Sequence, residues 1–335
     1  MTRKPVLATA SMAVAFAVAL SAQGGVTLRF ASPTPAGSVW DNVLQQMRSD
    51  WDKGTQSRVR ARVYPGQQQG DDLSVLLKLQ GGTLDAALLT AIGLPRIDEA
   101  FNVFGIPLFF DSPEELNHVM VKLTPMFRER LAAKGYVFLH WGHGGWIRVF
   151  STRPARSLDD LKNLKMYTSA GDEQMIRVYQ RHRFRPIALS STAIMTGLSS
   201  GMIEAMPSTP AAMLISQWNT RVKYMLDMRL TPFLGASVIT TRAWNNISPD
   251  DRATIMKAAA VAEGRLLRDI EKQDEESIRV MREKGLTVTT TQGSDWKLEA
   301  QRFAEDMKEM VPDAAYAAAL AERDAFRAHR ASAGR

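Results

Sequence analysis

Residues 157–210 constrain the fold more than any other part of the chain: SLDDLKNLKMYTSAGDEQMIRVYQRHRFRPIALSSTAIMTGLSSGMIEAMPSTP reads as helix-then-strand units in direct succession. Ser157 with Asp160 forms a capping box that opens a short helix, and Leu164 to Tyr167 is an apolar run of strand length. Thr168 to Gly171 turns the chain. Asp172 to His182 then carries Met175, Ile176, Val178 and Tyr179 at helical spacing, and Pro186 to Leu189 is a second strand. Ser190 or Ser191 caps the next helix, which Gly201 ends, and Met202 to Met206 is a third strand that Pro207 stops. Such tight alternation implies a parallel sheet, because parallel neighbours need a crossover and a helix normally supplies it. Ligands of these sheets sit off the carboxyl ends of the strands, here Tyr167 to Ser169, Leu189 to Ser191 and Pro207 to Thr209.

A chain of 335 residues is expected to divide into two domains rather than build one core. Arg3 and Lys4, the apolar run Val6 to Leu20 and the small residues from Ser21 to Gly25 read as a secretory signal peptide over residues 1–23. The alternative is a lasting membrane anchor, for which the apolar run is short. There is no cysteine, hence no disulfide framework, no lipid-anchor thiol and no thiolate metal site. Losing Arg3 and Lys4 with the leader lowers the formal charge from +7 to +5, with arginines scattered. Nucleic-acid binding wants a basic stripe with interleaved aromatics, so it is not expected. The expected product is soluble and exported.

The N-terminal part repeats the same architecture. Val26 to Ala31, Arg58 to Tyr64 and Leu84 to Leu89 read as strands, with helices opened by Ser38 and Asp71 between them. Leu79-Gln80-Gly81-Gly82-Thr83-Leu84-Asp85-Ala86-Ala87 lies in register with Leu198-Ser199-Ser200-Gly201-Met202-Ile203-Glu204-Ala205-Met206, which sets Thr90 opposite Thr209. Between the halves, helices are expected from Pro113 through Val121 and from Phe127 to Ala133. Strands Tyr136 to Trp141 and Trp146 to Thr152 follow, separated by Gly142-His143-Gly144-Gly145. Ala211 to Asp227 reads as largely helical, and Phe233 to Thr240 as a strand returning to the first lobe. Ser248-Pro249 caps a very long helix that Gly285 ends, a strand lies between Leu286 and Thr291, and two helices close the chain. The expected division is a first lobe over 26–150 with about 238–291, a second lobe over 151–237, a lobe-spanning helix over 248–284 and C-terminal helices over 293–335.

Three motifs point to other chemistry. Gly197-Leu198-Ser199-Ser200-Gly201 matches the G-x-S-x-G nucleophile elbow, which raises a serine hydrolase using Ser199 as an alternative function. An elbow needs strand, serine, then helix, whereas Ser199 sits near a helix end with a strand after it. His140 and His143, three apart on a strand, point to opposite faces and lack a third ligand, so no metal is expected and no cofactor either. Arg148 stands among apolar residues in Trp146-Ile147-Arg148-Val149-Phe150, where it needs an anionic partner, internal or a ligand.

Tyr64-Pro65-Gly66-Gln67 with Gly70, Leu79 to Ala87, Ile106-Pro107-Leu108-Phe109-Phe110, Leu158 to Lys165 and Leu198 to Ala205 occur in that order. Over about residues 28–291 this series resembles the extracytoplasmic solute-binding proteins of TRAP transporters, the DctP type. The resemblance implies an α/β, two-lobe clamshell of the periplasmic-binding-protein kind, each lobe a mostly parallel sheet flanked by helices, with a long helix along both lobes. It implies a non-enzymatic periplasmic protein that captures a small organic ligand and delivers it to the small and large integral membrane subunits of an ion-driven transporter. A partner-binding envelope protein that kept the fold and lost transport is the other alternative. Members of the family carry an arginine after the Lys-apolar pair of the strand following the capping-box helix; here Lys165-Met166 is followed by Tyr167, while the second family arginine is retained as Arg148. The family's acid-Gly-x-Glu-Asn run has become Glu204-Ala205-Met206-Pro207-Ser208. A partly apolar ligand, with one anionic or hydroxyl group, is therefore expected. Arg148 would supply charge, Tyr167 stacking or a hydroxyl, Ser208, Thr209 and Thr90 hydrogen bonds, and Trp40, Trp146 and Phe233 the apolar walls.

Overall fold

The computed structural model describes residues 25–290 and 295–333, so the expected signal peptide lies outside the described residues. The first elements are β1 (Val26–Ala31), α1 (Val39–Gly54), β2 (Val59–Tyr64), α2 (Asp72–Gln80), β3 (Ala86–Thr90), α3 (Leu94–Ile97) and α4 (Pro113–Ala133). Next come β4 (Tyr136–Ser151), α5 (Leu158–Lys162), β5 (Lys165–Ser169), α6 (Glu173–Arg181), β6 (Arg185–Leu189), α7 (Ile194–Ser199), β7 (Ala205–Ser208) and α8 (Pro210–Ile215). The remainder is β8 (Tyr224–Leu226), β9 (Thr231–Thr240), α9 (Thr241–Asn245), α10 (Pro249–Glu283), β10 (Thr287–Thr289), α11 (Asp295–Lys308) and α12 (Asp313–Ala333).

The strands run in the order β2-β1-β3-β9-β4-β7-β5-β6, with β8 on β4 and β10 on β8. Pairs β1–β2, β1–β3, β5–β6 and β5–β7 are parallel, as the helical crossovers between them require. The two long strands are antiparallel: β9 pairs with β3 on one side and β4 on the other. β4 passes from β9, through residue Ile147, to β7 from Arg148 onward, so one strand serves both lobes. The sheets are therefore mixed at their meeting point and parallel toward their outer edges.

Four local expectations change. Gly142 to Gly145 is not a loop between two strands; it lies within β4, where the register shifts between His143 and Trp146. Gly145 has a φ of 96°, and a Cβ there would sit 2.6 Å from Oδ1 of Asp274, so glycine is needed twice over, for the backbone and for the carboxylate beside it. Pro207 does not end β7 but pairs opposite Val149 within it. It loses little, because β7 pairs with β5 only at Ala205. The two helices expected over 113–133 are one: the buried face of Leu116, Val119, Met120, Leu123, Phe127 and Leu131 carries α4 through Pro125, and Thr124 Oγ1 donates to the Met120 carbonyl at 2.7 Å beside it. The stretch 211–227 is α-helical only to Ile215, makes one 3-10 turn over Trp218–Thr220 and then enters β8.

The internal repeat corresponds to equivalent parts. Gly82 and Gly201 take φ values of 76° and 69° after α2 and α7. Asp85 then accepts the Arg29 N–H of β1, and Glu204 accepts the Lys165 N–H of β5. At 35 residues α10 is about 52 Å long. Its Ile255, Ala259, Ala262 and Leu266 join the first-lobe core, and its Met281 the second-lobe core with Phe150 and Met206. α11 bridges the halves as well, with Trp296 and Phe303 in one core and Met307 in another.

Between the 3-10 turns of Glu99–Gly105 and α4 the first lobe is filled by aromatic rings. Phe127 stacks on Phe101 at 4.3 Å between centroids and meets Trp141 edge-on at 5.4 Å. Phe127→Ala is expected to destabilise the fold by about 3–5 kcal/mol in chemical denaturation; a loss below about 1 kcal/mol would mean that this cluster is not a close-packed core.

Candidate functional site

A cleft of about 560 Å³ opens where the carboxyl ends of β1, β3, β5 and β7 converge. Trp40, Thr90, Tyr167, Thr209 and Phe233, all expected as site residues, line it. A second cavity of about 460 Å³ adjoins it, bordered by Ser208 and again by Tyr167, Thr209 and Phe233. The structure thus brings six of the eight expected residues to two adjoining cavities.

Their polar atoms are partly committed. Thr90 Oγ1 donates to Asp72 Oδ2 at 2.7 Å, so its hydroxyl proton is not available to a ligand. Thr209 Oγ1 caps α8 by accepting the Ala212 N–H and keeps its own proton to give. Ser208 Oγ donates to the Thr209 carbonyl at 3.4 Å. Trp40 Nε1 donates to the His143 carbonyl at 3.2 Å, which holds the indole against the cleft wall. Phe233 lies where Gly144 has no side chain; a Cβ on Gly144 would come within 2.5 Å of its ring.

Arg148 and Trp146 are placed elsewhere, and neither lines either cavity. Along β4 alternate side chains face opposite ways: Ile147 and Val149 border the second cavity, and Arg148 therefore points back toward α10. There its Nη1 meets Asp274 Oδ2 at 3.4 Å, both side chains nearly fully buried, while the same carboxylate oxygen accepts the Trp146 N–H at 3.0 Å. Trp146 packs in the core under the guanidinium of Arg229. The anionic partner that Arg148 needs is thus internal. Burial pushes the Asp274 carboxyl up to about 6, outweighing the hydrogen bond from Trp146 and the charge of Arg148. It likewise pushes His140 and His143 down to about 4, leaving both neutral near pH 7.

Several lining residues had no signal strong enough to single them out. Arg96 is the one lysine or arginine lining the cleft among the described residues, and its Nη2 donates to the Gly171 carbonyl at 2.6 Å, from the first lobe to the second. Ser191 Oγ donates to Gln67 Oε1 at 3.0 Å, a second tie between the halves. Asp72, accepting both from Thr90 N and from its hydroxyl, has its pKa raised by desolvation at the cleft wall. Arg96 lies six residues past the Thr90 strand end, and only the turn through Gly93 returns it to the cleft. Among the described residues no group of three or more His, Asp or Glu is placed to hold a metal ion, and no helix is long and apolar enough to cross a membrane. Ser199 is exposed at the end of α7 and lines neither cavity.

The family model of DctP, bacterial extracellular solute-binding protein family 7, matches residues 30–314. The chain belongs to the DctP family. A DctP-type receptor from Bordetella pertussis that binds pyroglutamic acid superposes with a TM-score of 0.82 at 16% identity, covering 90% of this chain and 100% of that one. A TRAP periplasmic solute-binding protein from Xanthobacter autotrophicus with bound β-D-galacturonate gives a TM-score of 0.82 at 19% identity, covering 89% and 99%. At such identities the likeness shows the fold, which is the two-lobe clamshell with its long helix. By sequence, a solute-binding protein of Chromohalobacter salexigens is 26% identical over 223 residues, 64% of this chain and 65% of its own length, just under two thirds. The sialic acid-binding periplasmic protein SiaP of Vibrio cholerae is 19% identical over 280 residues, 81% of this chain and 85% of its own.

Within this DctP chain the Arg148–Asp274 pair is structural in its contacts, and two predictions test that. Arg148→Met alone leaves a buried carboxylate uncompensated and should cost about 3–5 kcal/mol, whereas Arg148→Met with Asp274→Leu should recover most of the loss; equal losses would show that the pair is not coupled. The native Asp274 binds its proton more tightly than the unfolded chain, with a pKa of about 6 against about 3.9, so its contribution to stability falls as pH rises from 4 to 6. Asp274→Asn should therefore gain on the wild type by on the order of 2 kcal/mol across that window. Because the histidines contribute equally to both proteins, the difference isolates Asp274, and a constant gap would refute the assignment.

Proposed function

We propose that the chain is the extracytoplasmic receptor of a TRAP-type transporter, binding one small organic acid between its lobes and handing it to the small and large integral membrane subunits. The observation that carries this reading is the cleft itself, walled by the strand ends of both lobes in a chain of the DctP family. The three relatives named above with their ligands bind pyroglutamic acid, galacturonate and sialic acid, all of them carboxylic acids. Arg148 is occupied by Asp274, and Tyr167 stands at the other arginine position, so Arg96 is the remaining guanidinium for a ligand carboxylate. One Nη2 proton ties Arg96 to Gly171, and the other donors of the planar fork can meet the acid. Tyr167, Thr209 and Ser208 serve the rest of the molecule, and Trp40 and Phe233 form its apolar walls.

Binding shifts the open and closed populations because a ligand touching both lobes is held better when they are closed. The Arg96–Gly171 and Gln67–Ser191 contacts would add to the closed form. The protein is read as non-enzymatic and periplasmic, exported by the leader over residues 1–23. A serine hydrolase finds no support in the exposed helix-end position of Ser199.

Thermal unfolding of the mature chain against a panel of hydroxy acids, sugar acids and aryl or alkyl carboxylates tests this. A cognate acid at about 100 times its Kd should add about 2.7 kcal/mol of stability. Arg96→Ala should weaken that acid by about 10- to 100-fold. No stabilisation by any carboxylate would overturn the receptor reading; an unchanged affinity in Arg96→Ala would remove Arg96 from it.

A further inference from the structure

The second cavity extends well beyond Ser208 and the residues it shares with the cleft. Its walls are largely apolar: Ile147 and Met206 from the sheet, Met175 and Tyr179 from α6, Phe303 and Met307 from α11. Neither Lys nor Arg borders it, and its two acids are engaged. Asp172 caps α6 through the Met175 N–H, and Glu299 is paired with Lys162 at 2.8 Å and His182 at 3.1 Å. What this space offers a molecule is apolar surface.

The space is a half-open pocket beside the cleft, so its apolar lining faces solvent until a molecule covers it. A space of about 460 Å³ is about three times the ~150 Å³ apolar cavity that takes up a benzene. The roof is propped open rather than slack. His182 stacks on Phe303 with centroids 4.0 Å apart, and its two ring nitrogens face Glu299 and Asp306 at 3.1 and 2.9 Å. Arg181 meets Asp306 at 2.6 Å, so α6 and α11 are fastened to each other above the cavity. Tyr167, Phe233 and Thr209 form the partition shared with the cleft.

We propose that this cavity is a second chamber of the ligand site, which receives the apolar body of the same molecule whose polar head lies in the cleft. The ligand class is then an amphipathic monocarboxylate, a carboxylate joined to an aryl or alkyl body, rather than a hydrophilic sugar acid or a dicarboxylate. This rests on the receptor reading above for the head and on the chamber alone for the tail. Tyr167 acquires a role of its own, because a phenol in the partition lies along the tail where an arginine would have to be desolvated beside it.

Calorimetric titration of the mature chain with ω-phenyl carboxylates of increasing length tests the chamber. Each added methylene should tighten binding by about fourfold until the space is filled. Met228→Trp and Ala300→Phe, which add bulk at two different walls, should each flatten that series, with Tm confirming the fold. Neutral indole, which has no carboxylate, should bind the wild type and lose affinity in both variants. A flat length series with measurable binding of the shortest acid would overturn the chamber and leave the receptor reading standing. Indole binding that both variants reduce, without binding of any acid, would support the chamber and overturn the acid receptor. Binding of neither indole nor the tailed acids would overturn the chamber.

Discussion

The antiparallel pairing of β4 with β9 is the constraint on which the rest depends. It extends from Tyr136 opposite Thr240 to Ile147 opposite Thr231, with bulges at two places. Gly235 of β9 lies so close to β3 that a Cβ would come within 2.5 Å of the Leu89 carbonyl, and glycine is what permits the approach. Because the same β4 continues into β7 and β8, the lobes are joined by a continuous ladder rather than by a flexible linker. Relative motion must be absorbed by bending where the pairing changes hands near Ile147, and α10 and α11, rooted in both lobes, limit its direction.

The charges of the site follow from that geometry. Alternation along β4 decides that Ile147 and Val149 face a cavity and Arg148 faces α10, where Asp274 waits in the space left by Gly145. The arginine kept in sequence is thus spent on the frame, and the cleft is left with Arg96 at a contact between lobes. On the receptor reading proposed above, specificity would depend less on a buried ion pair and more on shape and on apolar contact with Tyr167 and Phe233, which line both cavities.

Much of the fold was legible. The capping box of Ser157 and Asp160, the caps at Ser38 and Ser248, and the register between Leu79–Ala87 and Leu198–Met206 are local signals, and the structure forms each as read. Where local grammar misled, a tertiary contact outweighed it. Pro125 reads as a helix break, yet a continuous buried face carries α4 through it; the glycines at 142–145 read as a loop, yet pairing with β9 keeps them in a strand. The cleft was legible in Thr90, Tyr167 and Thr209 because strand carboxyl ends are fixed by the alternation of elements. Arg148 was read as a residue needing an anion, but nothing in the sequence joins it to Asp274, 126 positions away. Arg96 and the Met-lined chamber depend on how loops and C-terminal helices return over the sheet, which periodicity does not record.

The position of β9 also sets an order of events. β3, at residues 86–90, pairs with β1 on one side but finds its other neighbour in residues 235–239, about 150 positions later, after β5, β6 and β7 have been made. Contacts this distant in sequence form slowly, since a long loop must close before the pairing repays it. The first lobe cannot complete its sheet while the chain is shorter than about 240 residues. β1, β2 and β3 can pair with one another early, but the free side of β3 stays an uncovered sheet edge until β9 is made.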